Sequence, residues 1–141
     1  MVRHSSRLFV TAAALSVPVF TIVLRKGYGL GAQGMAAGSF HSPMFSVAWP
    51  TGEFGAMGLE GAVKLGFRKE LEAAAPEQRQ TLFDLLVGKA YEHGKALNIA
   101  SHLEIDAVID PMESRRWLLR GIRSAPKAND ASRRRRFIDT W

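Results

Sequence analysis

Apolar and polar positions divide the chain into stretches of different period. Residues 3–16 (RHSSRLFVTAAALS) are rich in Ala and Leu and read as a helix, whereas Val17–Leu24 (VPVFTIVL) is continuous and β-branched, the pattern of a fully buried strand. Four glycines then fall within Gly27–Gly34, and a helix is predicted from about Ala32. Phe45–Pro50 reads as a short strand stopped by proline, and a glycine turn at Gly58 opens a helix through Leu59-Glu60-Gly61-Ala62-Val63. Pro76 suits the first turn of a longer helix. Leu82, Leu85, Leu86, Ala90, His93 and Leu97 follow it as one stripe, expected to face the core or another subunit. Asp106–Pro111 reads as a short edge strand closed by proline, and Glu113–Ile122 as a final helix whose arginines face water or a partner.

At 141 residues the chain has the size of one domain, long enough to bury roughly 70% of the surface its unfolded form exposes. Hydrophobic residues at 47% and charged residues at 23% exclude a mostly disordered chain. The absence of cysteine excludes disulfide scaffolds, Cys-ligated zinc, iron–sulfur clusters and thiol catalysis, and fits a reducing compartment.

The net charge of +6 raises nucleic acid as a partner, but nine Lys/Arg against two Asp lie after position 114. That segment contributes +7, so residues 1–114 carry −1. The basicity therefore belongs to the end of the chain. We expect a domain over 1–125 and a basic C-terminal tail over 126–141, with no nucleic-acid partner. Arg133–Arg136 lacks the interleaved aromatic residues of a stacking platform. Leu8–Leu24 is seventeen residues without charge, yet Thr11, Ser16, Pro18 and Thr21 interrupt it and no small-residue cleavage site follows, so no membrane span is expected.

The glycine-rich stretch directly after the apolar strand carries the candidate chemistry. A helix starting there presents the unpaired amides of residues 29–32 at its positive end, where they stabilise an anion or an oxygen becoming one. Gly29-x-Gly31-x-x-Gly34 also satisfies GxGxxG, with Glu53 nineteen residues beyond, so a nucleotide-binding domain is the alternative. Against it, Arg25-Lys26 separates strand from glycine, Ser42-Pro43 comes too early for a full crossover helix, and Trp49-Pro50-Thr51-Gly52 precedes Glu53. His4, His41 and His102 share no metal-ligand spacing, and no metal is expected. His93 is expected to be packed or hydrogen-bonded, and Glu53 and Glu60 to cap a helix or face solvent. An interaction-only fragment without a site is a third reading.

RKGYG followed by Met35, then VAWPTGEFGAMGLEGAVKLGFR, then EIDAVIDPMESRR, in this order and spacing, resemble the C-terminal half of biotin-dependent acyl-CoA carboxyltransferase subunits. These are the β-type subunits of acetyl-, propionyl- and methylcrotonyl-CoA carboxylases. The resemblance runs from about Val2 to the end. It implies an α/β fold, a partial crotonase-like (ClpP/crotonase superfamily) carboxyltransferase C-terminal domain.

The resemblance further implies that carboxybiotin, carried on a separate domain, yields CO2 to the enolate of an acyl-CoA, with backbone amides holding the developing oxyanions. By alignment the donors for the biotin oxygen are the amides of Leu30 and Gly31, Gly29 allows the turn, and these three residues form the biotin site. The family commonly has two adjacent glycines, then alanine and an aromatic, where this chain has Gly29, Leu30, Gly31 and Ala32. Backbone donors tolerate the changed side chain. Gln33 stands where the family tunes acyl-chain choice. The implied partners are an acyl-CoA, a biotin carboxyl carrier protein or biotin carboxylase subunit, an N-terminal carboxyltransferase half, and further copies in a homo-oligomer. The implied location is the cytoplasm, or the mitochondrial matrix if the source is eukaryotic. Family subunits are several times longer, so the chain is expected to be a fragment, a truncated product or one piece of a split subunit.

Overall fold

A computed structural model describes residues 2–126. Except for Pro126, the tail expected over 126–141, with its run of arginines, lies outside the described residues. Helix α1 (Val2–Ala14) leads into strand β1 (Phe20–Val23), and β2 (Lys26–Tyr28) runs directly into α2 (Gly29–Met35). Strands β3 (Phe45–Ala48) and β4 (Glu53–Gly55) follow. Then come α3 (Leu59–Gly66), α4 (Arg68–Ala73), α5 (Pro76–His93) and α6 (Ala96–Ser101). Strand β5 (Ala107–Val108), a 3-10 turn at Pro111–Glu113 and α7 (Ser114–Ser124) complete the described chain.

Among the described residues all strand pairs are parallel, in two sheets ordered β1-β3-β5 and β2-β4. Phe20 pairs with Phe45 through to Val23 with Ala48, and Lys26 pairs with Glu53 through to Tyr28 with Gly55. Two neighbouring segments thus leave the first sheet and enter the second in step. Hydrogen bonds hold the crossing: Trp49 N donates to Val23 O at 3.0 Å, Thr51 Oγ1 to Leu24 O at 2.6 Å and Glu53 N to Arg25 O at 2.6 Å. Strands β2 and β4 escape a pattern reading because each is three residues long and contains a glycine, Gly27 or Gly55, with low strand preference.

The strand buried on both faces is β3, whose four residues are all buried, as its central place in a parallel sheet requires. Ala48 packs with Phe54, Ala96 and Ile105. Phe45 and Val47 pack with Ile109 against Phe20, Ile22, Trp49 and Trp117. The rings of Phe20 and Phe45 lie 5.0 Å apart, and Trp117 meets Phe45 edge-on at 5.4 Å. The expectation of a fully buried strand over Val17–Leu24 is corrected. Only Phe20–Val23 is strand, it is half-buried, and Val17 and Leu24 are exposed. The reason is its edge position in the sheet. Alternation is hidden there because one face meets α7 while the other lines a groove with Ala32, Met35 and Phe40.

The predicted stripe on α5 is also corrected. Leu82, Leu86 and Ala90 are half-buried, but Leu85 and His93 are exposed. Exposed Leu97 belongs to α6, because the chain turns at Gly94-Lys95. Strand β5 lies at the sheet edge as expected, within the predicted 106–111. On α7 all four arginines are exposed while Trp117 and Gly121 face the sheet. Among the described residues no helix is long and apolar enough to cross a membrane.

Candidate functional site

The glycine stretch forms the junction of β2 and α2. The helix begins at Gly29 rather than near Ala32, with Tyr28 as an extended N-cap residue whose side chain makes no capping bond. Gly29 adopts φ +59, and a Cβ on it would lie 2.7 Å from Ala56 O, so any other residue there meets both strain and a clash. Helix geometry leaves the amides of Gly29, Leu30 and Gly31, the first turn, without acceptors inside the helix. The side chain of Leu30 is 71% exposed, and a Cβ on Gly31 would meet nothing within 4 Å.

Gly34, third of the GxGxxG glycines, serves a different purpose. It is buried, and a Cβ on it would lie 2.8 Å from Leu8 Cδ2 and 3.3 Å from Phe9 Cε2, so it lets α1 pack against α2. On this side Val2, Leu8, Phe9, Leu30 and Gly31 line an apolar groove of about 580 Å³. On the other side of α2, Gly29 and Gln33 share a cavity of about 390 Å³ with Phe40, Phe54, His93 and His102. The structure thus brings Gly29, Leu30 and Gly31 to one end of α2 and puts Gln33 one turn further along.

Two phenol–carboxylate pairs stand beside the turn. Tyr28 Oη donates to Glu53 Oε2 at 2.9 Å, and Tyr91 Oη donates to Glu60 Oε1 at 2.7 Å. Burial first, and then the bond to Glu53, push the Tyr28 phenol well above the ordinary tyrosine range. The Tyr91 bond is the main cause holding Glu60 below the usual carboxylate range, and the same bond is the main cause raising Tyr91. Glu60 sits in the first turn of α3, in keeping with the expected place at a helix start. Glu53 does not, because it lies within β4 as the acceptor for Tyr28.

His93 is exposed and hydrogen-bonded: Asn98 Nδ2 donates to its carbonyl at 2.6 Å and lies 3.4 Å from its Nδ1. The His93 and His102 rings are 6.2 Å apart, and His41 Nε2 lies 3.8 Å from Glu104 Oε2. No group of three His, Asp or Glu among the described residues is placed to hold a metal ion. Sequence reasoning missed Tyr28, Tyr91 and His102 as neighbours of the turn. A strand reading of Lys26–Tyr28 would have flagged Tyr28, but Glu60 and Tyr91, thirty-one residues apart, carry no joint signal.

Paired parallel sheets that the chain crosses in step, with a glycine turn leading into a helix at their edge, define an α/β protein of crotonase-like fold. The chain belongs to the carboxyl transferase domain family, whose description "Carboxyl transferase domain" matches residues 1–137. It is 33% identical over 124 residues to the propionyl-CoA carboxylase carboxyltransferase subunit of Haloferax mediterranei, covering 87% of this chain and 23% of that protein. It is 32% identical over 120 residues to the methylmalonyl-CoA carboxyltransferase 12S subunit of Propionibacterium freudenreichii subsp. shermanii, covering 82% and 22%. Among solved structures, a single-chain, multi-domain long-chain acyl-CoA carboxylase superposes with TM-score 0.72 and 58% identity, over 84% of this chain and 11% of that one. The transcarboxylase 12S hexamer with methylmalonyl-coenzyme A bound superposes with TM-score 0.77 and 28% identity, over 86% and 23%. The chain therefore spans under a quarter of the length of these curated relatives.

Proposed function

We propose that this chain is the biotin-binding part of a carboxyltransferase that moves a carboxyl group from carboxybiotin to the α-carbon of an acyl-CoA. The observation that carries the reading is the Tyr28–Gly31 junction: in a chain of this family, uncapped first-turn amides follow a glycine held at φ +59. The donor set suits biotin, since a ureido oxygen accepts N–H donors and the turn opens beside Gly31 and an apolar groove. Carboxybiotin, when bound, supplies the carboxyl group and a ureido oxygen that gains negative charge as that group leaves. The Leu30 and Gly31 amides donate to that oxygen, Gly29 gives the backbone the conformation that aims them, and Gln33, on the neighbouring cavity, tunes acyl choice. Fixed amide dipoles strengthen where water is excluded, and losing one such donor in an acyl-transfer site costs about 100- to 1,000-fold in rate. The acyl-CoA thioester and its enolate are met by an N-terminal carboxyltransferase half, and a biotin carboxyl carrier protein or biotin carboxylase subunit delivers the biotin. The complete enzyme is a homo-oligomer in the cytoplasm, or in the mitochondrial matrix if the source is eukaryotic.

The test is calorimetric titration of the 141-residue chain with biocytin. Gly31→Pro deletes the amide at a first-turn position where proline is tolerated, whereas Gly31→Ala keeps it and fits open space. The expected result is binding by the wild type and Gly31→Ala and none by Gly31→Pro. Binding of NAD but not biocytin would overturn the reading in favour of a nucleotide site, and binding of neither would leave an interaction-only chain.

A further inference from the structure

The Tyr28–Glu53 hydrogen bond spans two paired strands rather than joining direct neighbours. The register sets Tyr28 opposite Gly55 and Glu53 opposite Lys26, so the Tyr28 ring reaches two residues back along β4. The Tyr28 ring lies alongside Gly55, where a Cβ would clash with Leu59 Cδ2 at 2.8 Å and touch Tyr28 Cδ1 at an ordinary 3.6 Å. The backbone of the acceptor residue is held on both sides, because Glu53 N donates to Arg25 O at 2.6 Å and Glu53 forms an antiparallel backbone bridge with Lys95. Glu53 is half-buried, as is Tyr28.

Tyr28 is the last extended residue before the left-handed Gly29, and its side chain gives α2 no cap. Small rotations about its backbone swing the Leu30 and Gly31 amides; the pairing of Tyr28 with Gly55 opposes them, and a restraint on the Tyr28 side chain adds to that. The bond to Glu53 is such a restraint. We propose that Glu53, acting through the Tyr28 phenol, is a positioning residue that fixes the direction of the Leu30 and Gly31 amides. This rests on the carboxyl-transfer reading for its consequence, although the geometry of the turn can be measured without any ligand. The Tyr91–Glu60 pair ties α5 to α3 instead and serves as the control.

The experiment is heteronuclear NMR of the labelled full chain, ligand-free and then titrated with biocytin. In Tyr28→Phe and Glu53→Leu the amide resonances of Gly29–Gly31 are expected to shift and broaden while those of β3 stay in place. Biocytin affinity is expected to fall about tenfold, because the two donors are no longer held in the binding direction beforehand. Glu53→Gln, whose amide oxygen still accepts from the phenol, is expected to keep the wild-type pattern, and so is Tyr91→Phe. Unchanged Gly29–Gly31 resonances in whichever bond-breaking variant retains the β3 pattern would overturn the inference. So would a Glu53→Gln spectrum resembling that of Tyr28→Phe, or loss of the fold in both bond-breaking variants, which would make the pair a determinant of folding. Failure of wild-type biocytin binding would instead count against the function proposed above, leaving the ligand-free resonances to decide this inference.

Discussion

Gly121 of α7 lies so close to Phe20 of β1 that a Cβ on the glycine would come within 2.6 Å of ring carbon Cε1. The Phe45 ring would be 2.8 Å away on the neighbouring strand. The absence of a side chain thus lets α7, with its own Trp117 against Phe45, dock on the aromatic pair of Phe20 and Phe45. Gly121→Ala is expected to destabilise the fold by about 1–3 kcal/mol through overpacking. Urea unfolding checks this, and an unchanged midpoint would show that α7 is free to shift.

Ser46, 1% exposed at the centre of the sheet, is bonded twice to Asp106: its amide donates to Asp106 Oδ2 at 2.7 Å, and its carbonyl accepts from Asp106 N at 2.8 Å. Asp106→Ala leaves the Ser46 amide buried without that acceptor, an expected cost of about 1–3 kcal/mol. Asp106→Asn keeps an acceptor oxygen and should lose less. Equal midpoints for the two variants in thermal unfolding would contradict this.

Two glycine-to-alanine substitutions should act in opposite directions. At Gly29 the positive φ and the Ala56 carbonyl both oppose a side chain, so Gly29→Ala is expected to cost about 1–3 kcal/mol. Gly88 lies exposed in the middle of α5 with nothing within 4 Å of a new Cβ, so Gly88→Ala should stabilise by about 0.5–1 kcal/mol. Differential scanning calorimetry of both variants is the check.

The phenol–carboxylate pairs set opposite limits on pH. The Tyr28 phenol is raised from an ordinary value of 10.0, so its contribution is fully present below about pH 10 and lost as pH rises through the folded value. Tyr28→Phe should therefore fall less steeply in stability above pH 10 than the wild type. Glu60 is lowered, so its contribution is present above the usual carboxylate range and lost as pH falls through the folded value. Tyr91→Phe removes the main cause and should flatten that acid-side loss. Unfolding midpoints measured across pH decide both, and parallel curves for variant and wild type would refute them.

Much of the architecture follows from local chemistry that the chain carries in order. Pro76 and Pro111 mark the starts of a helix and a 3-10 turn, and the Ala- and Leu-rich start is a helix. The motifs RKGYG, VAWPTGEFGAMG and EIDAVIDPMESRR suffice to place the chain in its family, and residues 1–137 match it. The glycine turn was legible because positive φ and close approach demand glycine within a few residues, whatever the rest of the chain does.

Burial and pairing were decided elsewhere. Val17–Leu24 and Phe45–Ala48 are both apolar, and only the order β1-β3-β5 makes the second the buried centre and the first an edge. The three glycines of GxGxxG look alike in sequence, yet tertiary contacts divide them: Gly29 abuts Ala56 O, Gly31 faces open space, and Gly34 meets Leu8. The partners of Tyr28 and Tyr91 lie 25 and 31 residues away. Periodicity reports only which side of its own element a residue occupies. Which residues meet across elements depends on how parallel strands stack into two sheets, a long-range arrangement no local pattern encodes.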